Sequence, residues 1–142
     1  MMEDFKATEK VMPDRVIIYT QLFKKNTSED IEIGNCKLIV FDDHWVISGW
    51  YVKKEFQNQG FGNELLKRSF QYSIDQNYNP SKIDYIWDGT NRYVYDWIVE
   101  NFDAVCDCPI AVRKNAFDDD WNSHIYHLNR DMLFEYFGLK VI

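Results

Sequence analysis

The chain has 142 residues, 46% of them apolar, with Phe 10, Tyr 9 and Trp 5, enough to build one core in a single domain over residues 1–142 and too much for intrinsic disorder. Its net charge of -7 argues against a nucleic-acid partner, since general affinity for a phosphate backbone calls for Lys and Arg in excess. The same acidity draws a cationic partner by long-range attraction, or serves only to keep the chain soluble.

In chain order, residues 3–12 read as a short helix stopped by Pro13. Three segments rich in β-branched and aromatic residues follow, over 15–25, 31–41 and 45–53, separated by the polar runs 26–30 and 42–44. They read as strands of an antiparallel meander. After Gly60 and Gly62 the period changes: Leu66, Phe70 and Ile74 recur every four residues, with Leu65 and Ser73 adjoining the same face. That is an amphipathic helix of about four turns, ended by Asn77, Asn79 and Pro80. A strand over 83–87 and a helix over 91–102, with Val94, Trp97 and Ile98 as its buried stripe, come next. Segments 108–113 and 124–129 read as a closing pair of strands around an acidic loop with Asp118, Asp119 and Asp120, and 130–137 has helical spacing. A strand, a helix and another strand in succession imply a parallel pair. The expected fold class is α/β in the mixed-sheet, α+β sense: an antiparallel N-terminal meander, a central strand–loop–helix, and two main helices flanking the sheet.

Met1 to Asp14 is mostly polar and unlike a signal peptide, and no apolar run approaches the roughly 20 residues of a membrane span. The expected protein is soluble, reduced and cytoplasmic, with no membrane partner. Cys106 and Cys108 are spaced C-x-C, not C-x-x-C, which suits small apolar packing better than a zinc or redox site. His124 and His127, three apart on a strand, face opposite sides. No metal is expected.

The chemistry is carried by 52–66, which leaves a strand, crosses a turn and enters the long helix. Two glycines flanking Phe61 permit positive φ or close approach of a ligand. The free amides and the dipole of a helix's first turn favour an anion there without any lysine. A P-loop needs Lys and Ser or Thr after its last glycine, where Asn63 and Glu64 stand. A dinucleotide fingerprint needs a third glycine, where Leu65 stands, although Asp84 does fall about twenty residues on.

Gln57-Asn58-Gln59-Gly60-Phe61-Gly62 resembles the Q/R-x-x-G-x-G/A loop of the GNAT (Gcn5-related N-acetyltransferase) family. Val52 at the strand end, Phe56 before the loop and Leu65–Leu66 in the helix keep the same register. The resemblance implies a GNAT-like fold with a shortened N-terminal helical region, acetyl-CoA as co-substrate, and transfer of its acetyl group to an amine-bearing acceptor, small molecule or protein. It implies that amides from Gln57 through Asn58, Gln59, Gly60, Phe61 and Gly62 to Asn63 bind the CoA pyrophosphate. The backbone of Trp50, Tyr51 and Val52 would pair with the pantetheine arm. Asn91, Val94 and Phe102 echo a second family motif, with Asn91 beside the cofactor, Asn101 in place of a Gly and Trp97 in place of the usual Tyr.

In the family that Tyr often protonates the departing thiolate; here Tyr95 or Tyr93 takes the role, or these rings only pack against the sheet. Residues 45–51 carry no carboxylate or histidine, so the commonest base is missing. Asp88, at the end of the next strand, is the first candidate, with Asp43 and His44 behind it and capping of the next helix as its alternative role. The short region before the loop implies an open acceptor cleft, or one whose walls a homodimer partner completes. A catalytically silent acyl-CoA-binding or protein-interaction module is the alternative function.

Overall fold

The computed structural model describes residues 3–25, 29–87, 92–106 and 124–139. Strands β1 (Glu3–Val11), β2 (Val16–Lys24), β3 (Ile31–Val40) and β4 (His44–Val52) lead into helix α1 (Phe61–Asp75). Strand β5 (Lys82–Trp87), helix α2 (Arg92–Phe102), strands β6 (Val105–Cys106) and β7 (His124–Leu128) and helix α3 (Arg130–Phe137) follow. Among the described residues the sheet has seven strands, in the order β1-β2-β3-β4-β5-β7-β6. Among the described strands, only β4 and β5 run parallel, and α1 makes the crossover between them.

The helix expected over 3–12 is a strand instead. Ala7, Glu9 and Lys10 are good helix formers, so local propensity misleads here. Pairing with β2 from Glu3↔Lys24 to Val11↔Val16 overrides it, and Phe5 packs onto the core. Pro13 sits in the turn that the Met12 amide closes on the Arg15 carbonyl at 2.8 Å. The meander therefore has four strands where the sequence suggested three. The strand expected over 108–113 and the loop of Asp118 to Asp120 lie outside the described residues; Val105–Cys106 pairs with β7 at the sheet edge.

Alternation along the strands sorts the sheet into two faces. Ile18, Leu22, Ile33, Leu38, Trp45, Ile47 and Ile83 are buried on one, under the helices. Trp45 stacks on Phe70 of α1 at 5.7 Å and meets Phe134 of α3 at 6.0 Å. Burying Leu65, Leu66 and Phe70 on this face stabilises the fold by roughly 1.5–3 kcal/mol each. Small residues let α1 lie close: Ser69 and Thr20 share a buried 2.6 Å hydrogen bond between helix and β2. The other face carries Tyr19, Lys37 and Tyr51, all exposed. Among the described residues no helix is long and apolar enough to cross a membrane.

Candidate functional site

Strands β4 and β5 pair only from His44↔Lys82 to Ile47↔Tyr85, whereas β4 stays paired with β3 as far as Val52↔Gly34. Beyond Ile47, β4 therefore has one bonded edge and, among the described residues, one open edge. The cause is a bulge: Leu38 faces Ile47 and Lys37 faces Gly49, leaving Ser48 as the extra residue. A bulge bends its strand and increases the local twist. The Lys53 amide donates to the Ile33 carbonyl at 2.8 Å, and alternation then turns the Trp50 amide and carbonyl and the Val52 amide into the gap. The Val52 carbonyl on that edge accepts from Gln57 Nε2 at 2.9 Å. Tyr51 points its ring onto the exposed face.

The loop after β4 begins as a single 3-10 turn, Lys54–Phe56. Asn58 (φ 63°) and Gly60 (φ 86°) are left-handed, and Gly60 caps α1 without a side chain. The Gln57 amide is occupied by the Lys54 carbonyl at 3.3 Å, and the helical ladder starts with Glu64 donating to Gly60 at 3.1 Å. Among the described residues, no acceptor is paired with any amide between them, from Asn58 to Asn63. Alternating left- and right-handed residues gather such amides into a concave anion nest, and the positive end of α1 adds about half a charge. A Cβ on Gly60 would meet nothing within 4 Å, so φ alone demands glycine there and the approach is open. At Gly62 the demand is packing: a Cβ would lie 3.3 Å from Trp50 Cζ2.

Trp50 ties the loop to the rest of the site. Its Nε1 donates to the Gly62 carbonyl at 3.0 Å, and its ring lies 5.2 Å from that of Trp97 on α2. Trp97 in turn meets Tyr136 of α3 at 5.9 Å, and Asn63 Nδ2 donates to the Tyr136 hydroxyl at 3.4 Å. An apolar wall thus runs from the first turn of α1 to α2 beside the open edge.

Trp50, Val52 and the run from Asn58 to Asn63 come together in one place, whereas the backbone of Tyr51 turns to Asn35 of β3 and the Gln57 amide to Lys54. Asp88 and Asn91 lie outside the described residues, and Tyr95 is placed only as a position on α2. Asp43 and His44 sit at the far end of β4, bonded to each other at 2.7 Å. The His44 imidazole holds the Asp43 carboxyl below its usual range. Four residues of strand, about 13 Å, separate them from Ser48. Asp84, nearly buried, bonds His127 Nδ1 at 2.6 Å on the exposed side of the sheet. Among the described residues no group of three or more His, Cys, Asp or Glu is placed to hold a metal ion. The bulge was missed from sequence, yet its signal was there. Trp45, Ile47, Trp50 and Val52 all face the helices, which strict alternation forbids.

Residues 22–93 match the model of the acetyltransferase (GNAT) family. No curated protein matches the chain. Among solved structures, PaiA N-acetyltransferase from Thermoplasma acidophilum, in complex with coenzyme A, is 15% identical with a TM-score of 0.56, over 80% of this chain and 60% of that one. A GNAT family acetyltransferase from Elizabethkingia anophelis with acetyl-CoA bound is 14% identical with a TM-score of 0.55, over 89% and 97%. N-acetylglutamate synthase from Neisseria gonorrhoeae, complexed with coenzyme A and N-acetyl-glutamate, is 19% identical with a TM-score of 0.52, over 78% of this chain. The chain spans 60% of the first of these and 25% of the synthase. At these identities the likeness concerns the fold.

Proposed function

Starting from the family to which this chain belongs, the GNAT acetyltransferases, we propose that it binds acetyl-CoA at the Gly60 loop and transfers the acetyl group directly to a primary amine. The observation that carries this reading is the run of unpaired amides from Asn58 to Asn63 beside the open edge of β4. A diphosphate satisfies those donors without cationic side chains. The edge groups of Trp50 and Val52 suit the amides of a pantetheine arm, in the manner of an added strand. A thioester carried along that edge reaches the Trp50 amide, a fixed donor for the oxyanion that forms on attack. The amine nitrogen bonds to the carbonyl carbon, the carbon–sulfur bond breaks, and CoA leaves as a thiolate that takes up a proton. Tyr95 on α2 and Asp88 after β5 remain the proposed acid and base.

A silent acyl-CoA-binding module is the second reading, favoured by Trp97. It occupies the position where the family's acid often stands, and it is packed against Trp50, Phe102 and Phe137. Calorimetry with CoA, together with thiol release from acetyl-CoA across a panel of amines, separates the two. Binding with turnover supports the transferase, and binding with no turnover on any amine supports the silent module. No CoA binding at all sinks both.

A further inference from the structure

The exposed face of the sheet holds a carboxylate that the transfer chemistry above leaves unused. Glu32 on β3 accepts from Gln21 Nε2 at 2.7 Å through one oxygen and from Asn35 Nδ2 at 2.9 Å through the other. Both donors are neutral, and no cation pairs with Glu32 among the described residues. Its charge is fixed in place and half-buried, and no ion pair neutralises it among the described residues. Asn35 stands directly opposite Tyr51, the residue of β4 between the two that turn into the open edge. The field of Glu32 also reaches Tyr19, whose hydroxyl is held above its usual value first by burial and then by this carboxylate. Tyr19 and Tyr51 are 37% and 53% exposed, so aromatic surface flanks an oriented anion. Ammonium groups favour such surroundings.

We propose that Glu32 holds a second positive charge on the acceptor, so that the site takes linear diamines with one amine at the open edge of β4 and the far ammonium on Glu32. This rests on the transferase reading above. The Glu32 carboxylate accepts from Asn35, which stands one strand spacing, about 5 Å, from Tyr51, the neighbour of the edge groups of Trp50 and Val52. Two lysines also stand on this face. Lys6 lies over the Phe23 ring at 4.9 Å. Lys37 stands opposite Gly49, closer along the sheet to the edge groups than Glu32, and like-charge repulsion there favours the neutral form of an amine.

The test compares wild type, Glu32→Gln and Glu32→Asp on straight-chain monoamines, on α,ω-diamines of increasing length, and on a lysyl peptide with a second basic residue. Glutamine keeps both amide contacts after a side-chain flip, and unchanged CoA affinity and thermal midpoint check that the fold survives. The expected wild-type pattern is a kcat/KM optimum at the diamine length that spans the gap. Glu32→Gln should raise KM for that diamine about tenfold with kcat and monoamine kinetics unchanged, the loss of one partly screened charge pair, while Glu32→Asp retains part of the preference. Preference for the peptide over every diamine, or a diamine preference that survives in Glu32→Gln, overturns the proposal and leaves the transferase standing. Calorimetric titration of the same diamines into the CoA complex needs no turnover. Glu32-dependent binding with no turnover on any amine would sink the transferase reading and keep the cation site, and no Glu32-dependent binding sinks the site.

Discussion

Single residues set the site's tolerances. Gly60 is held at φ 86° with open space around its Cβ, whereas Gly62 is pressed against Trp50. Gly60→Val therefore costs about 1–2 kcal/mol of backbone strain and should weaken CoA binding more than tenfold with the tryptophan environment intact. Gly62→Val should displace the indole, break its bond to the Gly62 carbonyl and shift the tryptophan emission. Calorimetry and fluorescence on the two variants check this, and identical behaviour would refute the separate roles. Cys36 shows what burial does to a thiol. Its pKa is pushed up to about 12, chiefly by desolvation, with the Ser69 and Thr20 hydroxyls pulling the other way. The unfolded thiol ionises near pH 8.5, so the stabilisation is whole below that value and is lost as pH climbs toward 12, by about 1.4 kcal/mol per unit. Urea midpoints at pH 8 and 10.5 should fall further for wild type than for Cys36→Ala. Equal falls would show that other groups dominate.

At the scale of elements, α3 is the least self-sufficient helix. It has eight residues, below the length at which isolated helices persist in water. Caps and packing hold it: Asn129 accepts from the Met132 amide at 3.0 Å, Gly138 closes the other end in the left-handed region, and Leu133, Phe134 and Phe137 are buried. Asn129→Ala should lower stability by about 1 kcal/mol. Tyr136 links α3 to Asn63 and Trp97, so the same variant should also weaken CoA binding slightly; chemical unfolding and calorimetry read the two effects. Strand β1 carries the opposite lesson. Its residues suit a helix, and hairpin pairing with the next strand decides otherwise.

Across the whole molecule the net charge of -7 acts as a field more than as a set of contacts. Raising salt from about 0.05 to 0.5 M should increase KM for cationic acceptors several-fold and leave kcat within about twofold, because screening acts on encounter more than on the bound geometry. A KM insensitive to salt would count against electrostatic capture. The loop from Gln57 to Asn63, the amphipathic period of α1 and the strand character of β2 to β4 were legible in the sequence, because each depends on neighbours a few residues apart. The identity of β1, the bulge at Ser48, the parting of β4 from β5 and the meeting of Glu32, Gln21 and Asn35 were not. Each arises from pairing between strands and not within one segment, so register and twist choose which groups face each other. Local sequence thus set the anion-binding turn, and only the assembled sheet decided which backbone edge stays open beside it and which charges share that face.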